Sequence, residues 1–391
     1  MTVAGRLQID VCRGPEGSAR IVSSRPHAIT RLFTGRTSGE IARLVPTLFS
    51  VCRMAQAATA TSVCETALGI LPSAGTAQVR ELLVLAETAR EHLVRILMDW
   101  PRFLGCAPDR AVPRRVMMLD RKLRSALDRD GTAFAIAGKP HVDRDALTNT
   151  LGDLEMLLEA EVFAGPAAQW LDRASLDDLL AWSNGAATPA QRLLHRGLEE
   201  GWWASGSIEV DPLPEIDRVC LAGPLLAEDA DAFTRLPTWN GRPRETTPLV
   251  RQAEHPLVQA CRDGAGFGLG ARLAARLVEL AALPGRMAAL AATLTTEEAA
   301  SSSVGRTAGN GRAIVQTEAA RGRLAHAIEI DRGIVTRYRI LAPTEWNFHP
   351  SGSAARGLAK LACASTGDTR RLAELMITAL DPCVGYELKV Q

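Results

Sequence analysis

Near each end of this 391-residue chain the side chains alternate, while most of the interior repeats every three to four residues. This change of period constrains the fold most, because alternation buries one face of a strand and a 3.6-residue repeat buries one stripe of a helix. Leu7, Ile9 and Val11 point one way, with Gln8 and Asp10 opposite. Arg13-Gly14-Pro15-Glu16-Gly17 turns, and Ala19–Ser23 returns as a second strand. Much later Leu324, His326, Ile328 and Ile330 alternate, Asp331-Arg332-Gly333 turns, and Ile334, Thr336, Tyr338 and Ile340 alternate back. That pattern predicts a second hairpin.

The clearest helix is predicted over Val79–Trp100, where Leu82, Ala86, Ala89, Leu93, Ile96 and Trp100 recur at helical steps and Pro101 is expected to stop it. A helical pattern runs from Ser38 past Cys64, with a kink expected at Pro46. Further helices are expected at Pro113–Asp128, Arg144–Ala164, Ser175–Ser183, Pro189–Glu200, Pro248–Arg262, Leu269–Thr293, Gly352–Cys363 and Thr369–Leu380. Gly201–Arg244, rich in Pro, Gly and Trp, reads as irregular, and Glu298–Arg312 as a mobile Ser/Gly/Ala-rich loop. The class is α+β: one domain over 1–391, with a helical body over 24–300, hairpins in 1–23 and 313–345, and a terminal segment 381–391.

Lys and Arg number 45 against 44 Asp and Glu, a balance that gives no footing for a nucleic-acid or anionic-membrane surface. No apolar run approaches the ~20 residues of a membrane-spanning helix, and Met1–Arg6 carries no secretion signal. The cysteines Cys12, Cys52, Cys64, Cys106, Cys220, Cys261, Cys363 and Cys383 are scattered, with no Cys-x-x-Cys pair. A disulfide scaffold or zinc site is not expected, and a reducing cytoplasm fits.

Six short motifs remain. Gly35-Arg36 is followed by Leu48-Phe49-Ser50-Val51-Cys52, and Glu91-His92-Leu93-Val94-Arg95 runs to Asp99-Trp100. Then come Glu245-Thr246-Thr247-Pro248-Leu249-Val250-Arg251, Glu318-Ala319-Ala320-Arg321-Gly322-Arg323-Leu324, Pro343-Thr344-Glu345-Trp346-Asn347, and Asp381-Pro382-Cys383. In this order and spacing they resemble the large subunit of [NiFe]-hydrogenases, whose pattern reads Gly-Arg, Arg-Ile-Cys-Gly-Val-Cys, Glu-x-Gly-Pro-Leu-Ala-Arg, Glu-Ala-Pro-Arg-Gly-Ala-Leu, Pro-Thr-Thr-Trp-Asn and Asp-Pro-Cys-x-x-Cys-x-x-His. The resemblance spans nearly the whole chain and is least supported over 109–242.

The departures are specific. Of the four cysteines that hold nickel and iron in that family, only Cys52 and Cys383 remain; Phe49 and Tyr386 stand at the other two positions. Gln56 and Lys389 stand where the family has His, and Ala4 where it has a proton-moving Glu. This combination resembles the HupK/HoxV group of large-subunit-like accessory proteins, implicated in assembling the metal centre.

The resemblance implies that Cys52 and Cys383 converge, with Arg321 beside them and Asp381 orienting Arg321. Two thiolates with a planar guanidinium suit a transient Fe(CN)2CO unit, whose cyanide nitrogens accept hydrogen bonds. Arg321 is also expected to lower the thiol pKa values. Phe49 and Tyr386 are expected to fill the space of the missing sulfurs, so no complete NiFe centre and no hydrogenase activity are expected. Implied partners are a maturation chaperone, the proteins that assemble the iron unit, and a hydrogenase large subunit. Taken singly, Cys52 reads as a buried inert thiol, Cys383 as a residue after a turn, Arg321 as a surface residue, and Glu91 and His92 as a solvated helix face. A metal-free interaction protein in hydrogenase assembly is the alternative reading.

Overall fold

The first alternating stretch forms the expected hairpin, β1 (Arg6–Cys12) and β2 (Ser18–Ser23), with Ile9 opposite Ile21. Leu7, Ile9 and Val11 are buried, as their alternation requires. The computed structural model describes residues 5–109, 111–295, 310–363 and 368–391. Ala4 and most of the Glu298–Arg312 loop lie outside the described residues.

The helical stretch after Ser38 divides in two. In α1 (Ser38–Leu48), Thr37 and Glu40 cap the start by exchanging hydrogen bonds, and Pro46 lies inside the helix without ending it. The break falls instead at Phe49–Cys52, after which α2 (Arg53–Leu68) begins. Buried Glu87 explains the position, because its carboxylate accepts from the free first-turn N–H groups of Met54 (2.7 Å) and Ala55 (3.1 Å).

The next helix, α3 (Ala74–Val94), starts at Ser73, which accepts from Thr76 N–H. It does not stop at Pro101. A widened turn, Arg95–Asp99, leads straight into Trp100–Phe103, and Pro101, which has no N–H to donate, follows that widened turn. The expected stripe of Leu82, Ala86, Ala89, Leu93, Ile96 and Trp100 is buried in the main core. Each such large side chain contributes about 1.5–3 kcal/mol. α3 packs against the Leu269–Ala292 helix, α2 and the Ala111–Leu127 helix. Gly201–Arg244 contains two short helices, Arg218–Leu226 and Ala230–Arg235. The expected Pro248–Arg262 helix is two, Pro248–Arg251 and Pro256–Ala265, because Pro256 begins a new one.

The second hairpin is part of a three-stranded antiparallel sheet, β3 (Gly311–Ala319), β4 (Gly322–Asp331) and β5 (Ile334–Leu341). The sequence reading places 313–345 in hairpins and the first two residues of β3 in a loop, without marking β3 as a strand. Ala319 pairs with Gly322, so Ala320 and Arg321 form a two-residue turn. The terminal segment is not a loose tail either: β6 (Gly385–Val390) lies parallel to β1, with Arg6 opposite Gly385 and Val11 opposite Val390. The first sheet therefore runs β2-β1-β6. Among the described residues, no helix is long and apolar enough to cross a membrane.

Candidate functional site

Cys52 is the residue from which α2 departs, and Cys383 follows the Asp381-Pro382 corner between the Thr369–Leu380 helix and β6. Over 300 positions apart in sequence, they line one cavity of about 80 Å3 together with Arg25, His27, Phe49 and Val384. Phe49 lies in this cavity wall, as expected. Tyr386 does not: it sits on β6, 37% exposed, facing a separate cleft of about 660 Å3 that adjoins the first at Val51, Cys383 and Val384. Tyr386 is thus placed at the cleft that Cys383 also lines, and not at the cavity that Cys52 and Cys383 share. Lys389, also on β6, is exposed and lies 3.7 Å from Glu387.

Each thiol is held by its own set of donors. Gln56, one turn into α2, hydrogen-bonds the Cys52 side chain. Its Oε1 lies 3.0 Å from His326 Nε2, and His326 Nδ1 lies 2.7 Å from the Tyr338 hydroxyl. One tautomer satisfies both contacts, with Nε2–H donating to Gln56 and Nδ1 accepting from Tyr338. Burial pushes His326 down to about 3, so it is neutral and structural, as its strand position implied. Cys383 Sγ accepts from the Thr344 hydroxyl at 3.0 Å and from Arg25 Nη1 at 3.4 Å, while Cys383 N–H donates to Thr344 Oγ1 at 3.1 Å.

The expected acidification of the thiols fails at Cys52. Burial comes first, followed by the neighbouring charges of Cys383 and Glu87, and together they push the thiol up to about 12. Arg321 and the Gln56 hydrogen bond act the other way and are outweighed. The Cys52 thiol therefore keeps its proton at neutral pH in this setting.

Arg321 and Asp381 meet as expected. Arg321, 3% exposed on the β3–β4 turn, donates from Nε to Asp381 Oδ1 at 3.1 Å and from Nη2 to Glu91 Oε2 at 2.8 Å. Its Nη1 is buried and has no hydrogen-bond partner among the described residues. Asp381 also accepts from Arg95 Nε at 2.8 Å and Arg276 Nη1 at 3.3 Å. Burial alone would raise its carboxyl, but Arg321, Arg95 and Arg276 outweigh burial and hold it well below the usual range. Three guanidiniums around one carboxylate also hold Asp381 in a left-handed conformation, φ 57°, that a non-glycine residue rarely adopts. Glu91 and His92 are not a solvated face. Glu91 binds Arg321, and His92 is fully buried with Nε2 2.7 Å from Glu279.

Sequence reasoning missed Arg25, Arg276 and Glu87. Arg95, Thr344 and Glu345 lie in recognised motifs without an assigned role. Arg25 bridges Cys383 and Glu345, with Nη1 2.8 Å from Glu345 Oε1. Among the described residues, no group of three or more His, Cys, Asp or Glu side chains is arranged to hold a metal ion by itself. A dithiol site of this kind suits a metal that already carries other ligands, and it leaves a nickel ion short of sulfur.

Residues 224–385 match the sequence family described as nickel-dependent hydrogenase. The chain is 30% identical over 383 residues to the hydrogenase expression/formation protein HoxV of Cupriavidus necator, covering 94% of this chain and 92% of that protein. It is 30% identical over 397 residues to the hydrogenase expression/formation protein HupK of Rhizobium leguminosarum bv. viciae, covering 99% and 97%. Among solved structures it is similar to the Ni-Fe-Se hydrogenase of D. vulgaris Hildenborough, with TM-score 0.62, 13% identity and coverage of 95% and 94%. It is equally similar to an NAD+-reducing [NiFe]-hydrogenase, with TM-score 0.62, 16% identity and coverage of 94% and 93%. The fold is thus that of a hydrogenase large subunit, α+β as the sequence implied.

Proposed function

Because this chain belongs to the HoxV/HupK family of hydrogenase expression/formation proteins, we propose that its role in hydrogenase maturation is to hold an Fe(CN)2CO unit between Cys52 and Cys383 and release it to a hydrogenase large subunit. The observation that carries this reading is the unpartnered Nη1 of Arg321. A buried N–H without an acceptor costs about 1–3 kcal/mol, and a cyanide nitrogen would remove that cost. The same guanidinium acts electrostatically on both thiols, so thiolate ligation and cyanide recognition draw on one group.

Each residue has a definable task. Cys52 and Cys383 bind the iron through sulfur once their protons have left. Arg321 orients the unit, and Asp381 with Glu91 fixes the Arg321 plane. Phe49 and Val384 cover the apolar side of the cavity and limit water. Two sulfurs grip less tightly than four, which suits a cargo that must leave. Hydrogen activation is not expected, since two of the family's metal-binding sulfurs are absent. The partners this reading requires are the chaperone and iron-assembly proteins that deliver the unit, and the large subunit that receives it.

The test is infrared spectroscopy on protein purified anaerobically from a host with the full maturation machinery. Cyanide and carbonyl bands are expected in the wild type and not in Cys52→Ala or Cys383→Ala. If both cysteine variants support normal hydrogenase maturation, the cargo reading is wrong. One observation favours the metal-free alternative: both thiols already accept hydrogen bonds, Cys52 from Gln56 and Cys383 from Thr344 and Arg25. Under that reading the wild type carries neither bands nor iron, and surface substitutions, not cysteine substitutions, impair maturation.

A further inference from the structure

Arg25 lies outside every motif, yet it is the second guanidinium at the thiol pair. Its side chain is 11% exposed, and its Nη1 is 3.4 Å from Cys383 Sγ and 2.8 Å from Glu345 Oε1. Its charge also acts on Cys52. Glu345, which anchors it, is itself a departure: the family motif reads Pro-Thr-Thr-Trp-Asn, and this chain has Glu in place of the second Thr. The chain therefore lacks two metal-binding sulfurs and has an ion pair pressed against one of the two that remain.

Resting on the reading of Cys52 and Cys383 as the cargo thiols, we propose that Arg25, fixed by Glu345, makes this site refuse a bare divalent cation such as nickel while admitting the iron unit. Two arguments carry it. The first is steric. A metal bonded to sulfur sits about 2.3 Å away, and the Arg25 N–H already occupies one approach to Cys383 Sγ, so an incoming metal must bring an acceptor for that N–H, as a cyanide nitrogen does and a bare cation does not. The second is charge. Iron(II) with two cyanides and one carbonyl is neutral, so on two thiolates it forms a dianion, which two guanidiniums, Arg25 and Arg321, complement. Nickel(II) on the same thiolates forms a neutral complex and leaves that complementarity unused. Arginine serves here better than lysine because it does not lose its proton on burial. The carboxylate of Glu345 prevents the guanidinium from swinging aside.

The test is titration of the protein, produced without the maturation machinery, with nickel(II), reading sulfur-to-nickel charge-transfer absorption and bound nickel after dialysis. Wild type is expected to give no charge-transfer band. Arg25→Met is expected to bind nickel at least tenfold more tightly, with a band that disappears when Cys383→Ala is added. Arg25→Lys, which keeps the charge, is expected to stay closer to wild type than to Arg25→Met. Because Arg25→Met leaves Glu345 unpaired in the interior, the double variant Arg25→Met/Glu345→Gln is titrated beside it, with circular dichroism to report folding. Equal nickel binding by wild type and both variants overturns the proposal, and so does absence of binding in the folded double variant. Neither result bears on the infrared bands, so the cargo reading stands or falls separately.

Discussion

Asp381 shows how a single residue can hold a site together. Its carboxylate accepts from Arg95, Arg276 and Arg321 at 2.8–3.3 Å. Removing it leaves the buried guanidiniums of Arg276 and Arg321 and the partly exposed one of Arg95 facing one another. Asp381→Ala is expected to cost about 3–5 kcal/mol, read as a lower urea midpoint of unfolding, because the penalty is that of stranding buried charge. Arg321→Met tests a different property. It deletes the unpartnered donor, and the cyanide bands of loaded protein are expected to be lost or shifted. This was the part of the site most legible in the sequence: Cys52, Cys383, Arg321 and Asp381 sit inside ordered motifs. Arg25 was illegible because its partner Glu345 is 320 positions away and no local pattern marks either as half of a pair. The thiol pKa was misjudged because a sequence names the nearby charge without revealing the burial that outweighs it.

At the scale of elements, the turn that carries Arg321 depends on Gly322. Its φ is +128°, and a Cβ there would lie 2.0 Å from the Thr246 carbonyl oxygen. Gly322→Ala must therefore move the β3–β4 turn or the Glu245–Thr247 segment against it. A loss of about 2–3 kcal/mol is expected, together with loss of the iron bands although no ligand has changed. Helices were legible wherever one face is buried, as in α3. The strands that escaped notice lack that signature. The burial of β6 follows no alternation because most of its side chains face solvent, and β3 buries two adjacent residues, Ala313 and Ile314, which breaks a period of two. The widened turn at Arg95–Asp99 has no sequence signal, yet it carries the arginine that reaches Asp381.

At the scale of the molecule, buried titratable groups set the acid response. Burial lowers His326 to about 3; burial and the charges of Arg25 and Arg235 lower His27 to about 4, from an ordinary value near 6.5. A group easier to protonate when unfolded contributes stability that is complete above 6.5 and lost as pH falls toward the folded value. Asp381 and Glu279, both held well below the carboxylate range, add a loss of the same sign below about pH 4. Glu87, raised by burial to about 7, opposes this: its contribution is present below 4.5 and lost between 4.5 and 7 as pH rises. The urea midpoint is expected to fall gently from pH 6.5 to 4.5 and steeply below 4.

The pairing of β1 with β6 gives the thiol site a logic of its own. One sulfur belongs to the early part of the chain and the other sits two residues before the strand that closes the first sheet. Contacts so distant in sequence carry a large loop-closure cost and are expected to form after the local pairs of the helical body. A chain stalled part-way, or misfolded at either end, holds its two sulfurs in unconnected pieces and has nothing with which to grip iron. If the site carries the proposed iron unit, possession of that unit certifies completed folding, and a recipient that recognises only loaded protein is spared the unfinished copies.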